Sequence, residues 1–189
     1  IHIVDINSRS LIKTLNIQGE FKDAAIHSGQ GKAYVINNGK AAGELLIIDL
    51  AALSAAGAIP VSKHAKSIVI DEALNLAILA VEEKDKIEVV DLLTAQIAGA
   101  YELSKHPSAL AINPVTHTVV IAAKDSDQIA LLDLSAKTFT ANYAKVEKPL
   151  SLDVTIRFNQ ALVVSAEKGI IEFIQLPNPV PVLTGINPS

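Results

Sequence analysis

Four aspartates, Asp5, Asp49, Asp91 and Asp133, each close a short aliphatic run: IHIVD, LLIID, IEVVD and IALLD. Carboxylates in this number could act as acid/base pairs or as oxygen ligands for a cation. Both roles need them to converge, with catalytic pairs about 5 to 10 Å apart. Their spacing argues otherwise, because successive aspartates recur at a near-constant interval of about 42 residues and so belong to successive copies of one repeat. Asp5, Asp49, Asp91 and Asp133 are therefore expected to be structural turn residues. Each carboxylate would accept hydrogen bonds from the backbone N–H groups of the turn that follows, recurring because a hairpin recurs.

A second set of polar residues has the same period. HAKSIVID begins at His64, HPSALAIN at His106 and KPLSLDVT at Lys148, each one repeat after the last, with Ile68, Leu110 and Leu152 in register and Ile70, Ile112 and Val154 after them. Two imidazoles and an ammonium could hold a metal or meet an anionic ligand. Two histidines from separate repeats, with no acidic companion in register, do not define a metal site, so no metal is expected.

The period divides into four strand-length apolar segments. In one copy they are SALAIN, TVVIAA, QIALLDL and FTANYAK, bounded by turn-forming residues at 113–114, 124–127 and 135–137. Several are apolar on both faces, as expected of strands sandwiched between other sheets. Prolines and Asn-Pro steps rule out the paired amphipathic helices of a helical repeat. Four strands in about 42 residues is the signature of a β-propeller blade. The expected fold is all-β, with a half blade at 1–17, full blades at 21–61, 64–103, 106–146 and 148–183, and a proline-rich linker at 177–189. Together 1–183 form a partial propeller of about four and a half blades. An open ring would expose strand edges, so the remaining blades are expected from the parent protein or from a second chain.

Ala33-Tyr34-Val35-Ile36-Asn37-Asn38, a polar loop and then Leu45-Leu46-Ile47-Ile48-Asp49 resemble the YVTN β-propeller repeat. That repeat is a Tyr-Val-x-Asn strand, a small polar turn and an aliphatic strand ending in Asp. The resemblance covers nearly the whole chain and implies a seven-bladed ring. In the last repeat Gln175 stands in place of the aspartate, with Pro177 and Pro179 able to stiffen the turn. The final residues, 181–189, resemble the first strand of an IPT/TIG immunoglobulin-like domain. This implies a modular extracellular, cell-surface or periplasmic parent of bacterial or archaeal origin.

Within such a ring, His64, His106 and Lys148 fall on loops at the mouth of the central channel, where ligands commonly dock. Asp153 stands where the other repeats have Val69 and Ala111. A carboxylate in an apolar inner strand needs a partner if buried. It is either part of a local network with backbone or Arg157, or a channel-lining acid. His64, His106, Lys148 and Asp153 are the candidate binding residues.

Function is bounded mainly by exclusions. The net charge of −4 with scattered lysines lacks the basic stripe of a nucleic-acid binder. No apolar run approaches the roughly 18 to 20 residues of a membrane-spanning helix, so membrane insertion is not expected. There are no cysteines, no haem-attachment motif, no Gly-rich phosphate loop, no HExxH and no GxSxG. No cofactor and no catalytic residue are assigned, and short loops leave little material for a catalytic constellation. The expected function is a non-catalytic binding or scaffolding module with a protein or surface glycan as partner. The alternative is a periplasmic propeller with a small ligand, a cofactor or an activity at its channel mouth.

Overall fold

The computed structural model describes residues 1–39, 42–103 and 105–178. The stretch 181–189 and any fourth strand of the blade at 148–183 lie outside the described residues. Among the described residues five antiparallel sheets follow one another along the chain, each a simple meander. The first has two strands, β1 (His2–Asp5) and β2 (Ser10–Thr14). The second, blade 1, has β3 (Phe21–His27), β4 (Lys32–Asn37), β5 (Gly43–Asp49) and β6 (Ser54–Val61). Blade 2 has β7 (Ala65–Asp71), β8 (Leu76–Val81), β9 (Lys86–Asp91) and β10 (Gln96–Glu102). Blade 3 has β11 (Pro107–Asn113), β12 (Thr118–Ala123), β13 (Gln128–Asp133) and β14 (Thr138–Lys145). Blade 4 has β15 (Pro149–Thr155), β16 (Gln160–Ser165) and β17 (Ile170–Gln175).

The first strands of consecutive blades, β3, β7, β11 and β15, are neighbours in space, and the sheets stack face to face around the axis they line. This is a β-propeller arrangement. The middle strands β8, β9, β12 and β13 carry aliphatic residues on both faces because each face meets another sheet. Tyr34, Ile36 and Leu45 of blade 1 pack on Ile68, Leu79 and Val90 of blade 2. Ile78 and Ile87 pack on Leu110, Ile121 and Leu132. Val120 and Ile129 pack on Leu152 and Val163. Each such side chain contributes about 1.5 to 3 kcal/mol when fully buried.

Polar bridges add a second bond between blades. The residues that end β3, β7 and β11 are His27, Asp71 and Asn113, all buried. Each caps its own hairpin with one side-chain atom and reaches the next blade with the other. His27 Nδ1 accepts from Gln30 N–H at 3.2 Å, and its Nε2 lies 3.1 Å from Asn75 Oδ1. Asp71 Oδ1 accepts from Leu74 N–H at 3.0 Å, while Oδ2 accepts from His117 Nδ1 at 2.7 Å. Asn113 Oδ1 accepts from Val115 N–H at 3.0 Å, and its Nδ2 donates to Asn159 Oδ1 at 2.8 Å. The receiving residues Asn75, His117 and Asn159 all sit in the left-handed region, at φ 55°, 54° and 49°. That conformation turns their side chains away from their own strands, and Asn tolerates it better than most residues. The series ends at Thr155, whose hydroxyl accepts from Phe158 N–H of its own turn, at 3.4 Å.

Asn113→Ala removes a turn cap and leaves Asn159 short of a partner, so it is expected to cost about 2 to 3 kcal/mol. Urea denaturation should show this as a larger fall in midpoint than Asp133→Ala, which removes an exposed turn cap alone.

Candidate binding face

The loops joining second to third strands and the crossovers into each new blade lie on one face of the arc. His64, His106 and Lys148 occupy the crossovers, at φ 68°, 33° and 43°. Their backbones are pinned from the preceding blade. His64 N–H donates to Asn38 Oδ1 at 3.2 Å, His106 N–H to Asp85 Oδ1 at 2.7 Å, and Lys148 N–H to Asp127 Oδ1 at 2.9 Å. Asn38 also donates from Nδ2 to Ala65 C=O at 2.9 Å. The three residues are thus fixed turning points of the backbone, and the two imidazoles turn to their own blades. His64 Nδ1 lies 3.1 Å from Glu83, and His106 Nδ1 lies 2.7 Å from Asp125. Glu83 and Asp125 hold the same place in successive repeats, so contrary to expectation each imidazole has an acidic companion in register, on its own blade. Among the described residues there is no group of three or more His, Cys, Asp or Glu side chains placed to hold a metal ion.

Asp153 is exposed among the described residues. Its Oδ1 accepts from the N–H of Val154 at 2.8 Å. Leu152 and Val154 on either side pack toward blade 3. Alternation along β15 therefore puts Asp153 on the opposite flank of blade 4. Arg157 lies over the Phe158 ring instead, 5.4 Å from its centroid.

The turn aspartates are separate from this face. Asp5 Oδ1 accepts from the N–H groups of Asn7 and Ser8, Asp49 Oδ1 from Ala51 and Ala52, Asp91 Oδ1 from Leu93 and Thr94, and Asp133 Oδ1 from Ser135 and Ala136, all at 2.7 to 3.0 Å. The N–H groups of Ser8 and Asn7 hold the Asp5 carboxyl below its ordinary pKa, and those of Thr94 and Leu93 do the same for Asp91. At Gln175, which replaces the fifth aspartate, the amide donates to Asn159 C=O at 3.0 Å.

Between blades 1 and 2 the face opens into a pocket of about 480 Å³ with Asn38 and His64 in its lining. Ion pairs ring it: Lys22 with Glu20 at 2.6 Å, and Lys66 with Glu82 at 2.7 Å. Lys63 lies in the same lining. Lys22, with smaller contributions from Lys63 and His64, holds the Glu20 carboxyl below its ordinary pKa. Two close approaches shape the surrounding loops. A Cβ on Gly19 would overlap the Asn37 carboxamide, and one on Gly43 would meet Ser62 C=O at 2.5 Å. Asn37 uses the room beside Gly19 to accept from Glu20 N–H at 2.9 Å and Gly39 N–H at 3.0 Å.

Beneath the crossover sits Glu88, only 1% exposed. It accepts from Ser62 N–H at 3.0 Å, from the Ser62 hydroxyl at 2.5 Å and from Lys86 Nζ at 2.5 Å. Burial pushes its pKa up, but the Lys86 ammonium and the two Ser62 donors outweigh this, and the net shift is downward. Glu88 thus fixes the segment that carries Lys63 and His64. Neither Glu88 nor the pinning residues Asn38, Asp85 and Asp127 stood out in the sequence. Only Asp85 and Asp127, which hold the same place in successive repeats, carried a usable signal.

No family model matches the chain, and no curated protein matches it either. Solved structures do. A chain of Kuenenia stuttgartiensis hydrazine synthase superposes with a TM-score of 0.72 at 14% identity, over 87% of this chain and 49% of that one. The Dos1 propeller gives 0.74 at 14%, over 91% and 45%. U3-55K gives 0.66 at 10%, over 85% and 53%. The protein has a β-propeller fold, and it spans about half the length of each of these chains.

A carboxylate with a depressed folded-state pKa contributes stability that is present above its unfolded pKa, about 4.5, and is lost as pH falls through the folded value. Glu88→Gln is therefore expected to lower the melting temperature at pH 7 and to change it much less near pH 3. A difference between variant and parent that is independent of pH would show that the ionised form is not what stabilises the crossover.

Proposed function

We propose that the protein is a non-catalytic binding or scaffolding module that engages its partner through the face carrying His64, His106, Lys148 and the pocket between blades 1 and 2. The observation that carries this reading is the pinning of each crossover to the preceding blade. It holds charged and hydrogen-bonding side chains at fixed, separate positions, which suits contact with a broad partner surface rather than convergence on one reacting atom. The partner is a protein or a surface glycan, met outside the cell or in the periplasm, as the YVTN-like and IPT/TIG-like sequence features suggest. A second reading draws on the pocket, whose volume falls within the range of small-ligand sites. On that reading a polar small molecule lies among Lys63, His64 and Lys66.

Affinity capture from an extracellular extract, together with a glycan array, tests the proposal. Lys63→Glu combined with His64→Glu should abolish whatever specific binding the parent shows. Leu93→Ala, an exposed position on a third-to-fourth-strand turn, should leave it intact. Equal retention by both variants would remove this face from the proposal.

A further inference from the structure

The crossover from blade 1 to blade 2 is held at two points. Ser62 donates its N–H and its hydroxyl to buried Glu88, and His64 donates its N–H to Asn38. The two later crossovers keep only the second of these anchors. Ala130 and Glu172 stand at the positions equivalent to Glu88; Ala130 has no carboxylate, and Oε1 of Glu172 is buried without a partner. Lys63 lies between the two anchored residues, so its backbone is fixed on both sides. Gly43 makes room for it, since a Cβ there would meet Lys63 Cα at 2.9 Å. The Lys63 side chain is half-buried, and among the described residues it makes no hydrogen bond or ion pair.

The pocket of about 480 Å³ beside Lys63 lies between two complete four-stranded sheets. Its charged lining is balanced, with Glu20, Glu82 and Glu83 set against Lys22, Lys63 and Lys66. The three acids are paired through Oε1, to Lys22, Lys66 and His64 in turn. Each Oε2 is without a bond among the described residues. With Nδ1–H turned to Glu83, His64 presents Nε2 as a further acceptor. The pocket thus combines one unpaired cation with several unused acceptors. Its only apolar lining residue is Ala65, and no aromatic ring borders it.

We propose that this pocket binds a free polar α-amino acid as its zwitterion, with the carboxylate on Lys63 and the ammonium among Glu20, Glu83 and His64. The inference rests on the small-ligand reading of the pocket and names the ligand class. Charge decides between candidates. A phosphate or dicarboxylate would meet Lys63 but bring a second negative charge against three carboxylates. A neutral polyol would leave the half-buried ammonium without a counter-ion. A quaternary ammonium has no N–H for the unused oxygens, and its usual aromatic wall is absent. An apolar side chain would find only Ala65 to pack on. A primary-amine zwitterion with a polar side chain makes a charge-assisted hydrogen bond at each end and leaves the pocket neutral.

The probes are the polar protein amino acids, each titrated singly into the full chain at pH 7 while the amide signals of Ser62, Lys63 and His64 are followed by NMR. At least one should shift them saturably. Its N-acetyl and methyl ester forms should each bind about tenfold or more weakly, as should the parent ligand to Lys63→Gln. Lys63→Arg, which keeps the charge, and Lys105→Gln, at the equivalent place in the next crossover, should retain binding. Melting temperatures equal to the parent's would separate lost binding from lost folding. Equal binding of the acetylated or esterified form would overturn the proposal while leaving a small-ligand pocket standing. So would saturable shifts with succinate or glucose and none with any amino acid. No response to any of these probes would remove both the proposal and the small-ligand reading beneath it.

Discussion

The fold depends on the fact that no blade can bury itself. A sheet such as β7–β10 is aliphatic on both faces, and one face of every blade becomes an interior only when the next blade lies on it. The end of the arc shows the consequence. Phe173 of blade 4 is 65% exposed, whereas Leu131, its equivalent in blade 3, is 5% exposed beneath blade 4. Apolar contact of this kind is strong but has little directional preference. It brings sheets together without setting how each is rotated on its neighbour.

Direction comes from polar bridges at both ends of the first strands. At one end His27, Asp71 and Asn113 cap their own turns and reach a left-handed residue of the following blade. At the other, Asn38, Asp85 and Asp127 take the N–H of the next crossover residue. A blade held at two separated points has a defined angle to its neighbour. The binding face inherits that rigidity, because the crossover residues pinned there are those whose side chains it presents. Glu88 adds a third anchor where the pocket opens, tying the blade 1 to blade 2 crossover to the interior of blade 2.

The repeat was plain in the sequence because turn-closing aspartates and aliphatic runs recur with a single period, and that period with four strand-length segments leads to a propeller. The bridges were much less legible. Asp71, Asn113 and Thr155 are equivalent in place but differ in chemistry, as do Asn75, His117 and Asn159, so no single residue type marks them. What they share is a backbone conformation and the ability to use two side-chain atoms in two directions, and neither is a property of composition. Asp153 shows the same dependence on the neighbouring blade. Its neighbours in the strand are apolar, which suggested burial, but exposure there is decided by the blade that covers the flank and not by β15 itself. His64 and His106 stood out by spacing alone. Their partners, Glu83 and Asp125, share the same period of about 42 residues and stand the same distance along the chain from each histidine, so the acidic companion in register that the sequence reading found missing was there to be read.

The account rests on side-chain bridges coupling one blade to the next, and a double-mutant cycle on Asp71 and His117 tests this most directly. Asp71→Ala, His117→Ala and the double variant would be compared by equilibrium denaturation. Coupling of about 1 kcal/mol or more is expected for a bridge that spans two blades. Strict additivity of the two single losses would show that the blades are held by apolar packing alone and would contradict the account.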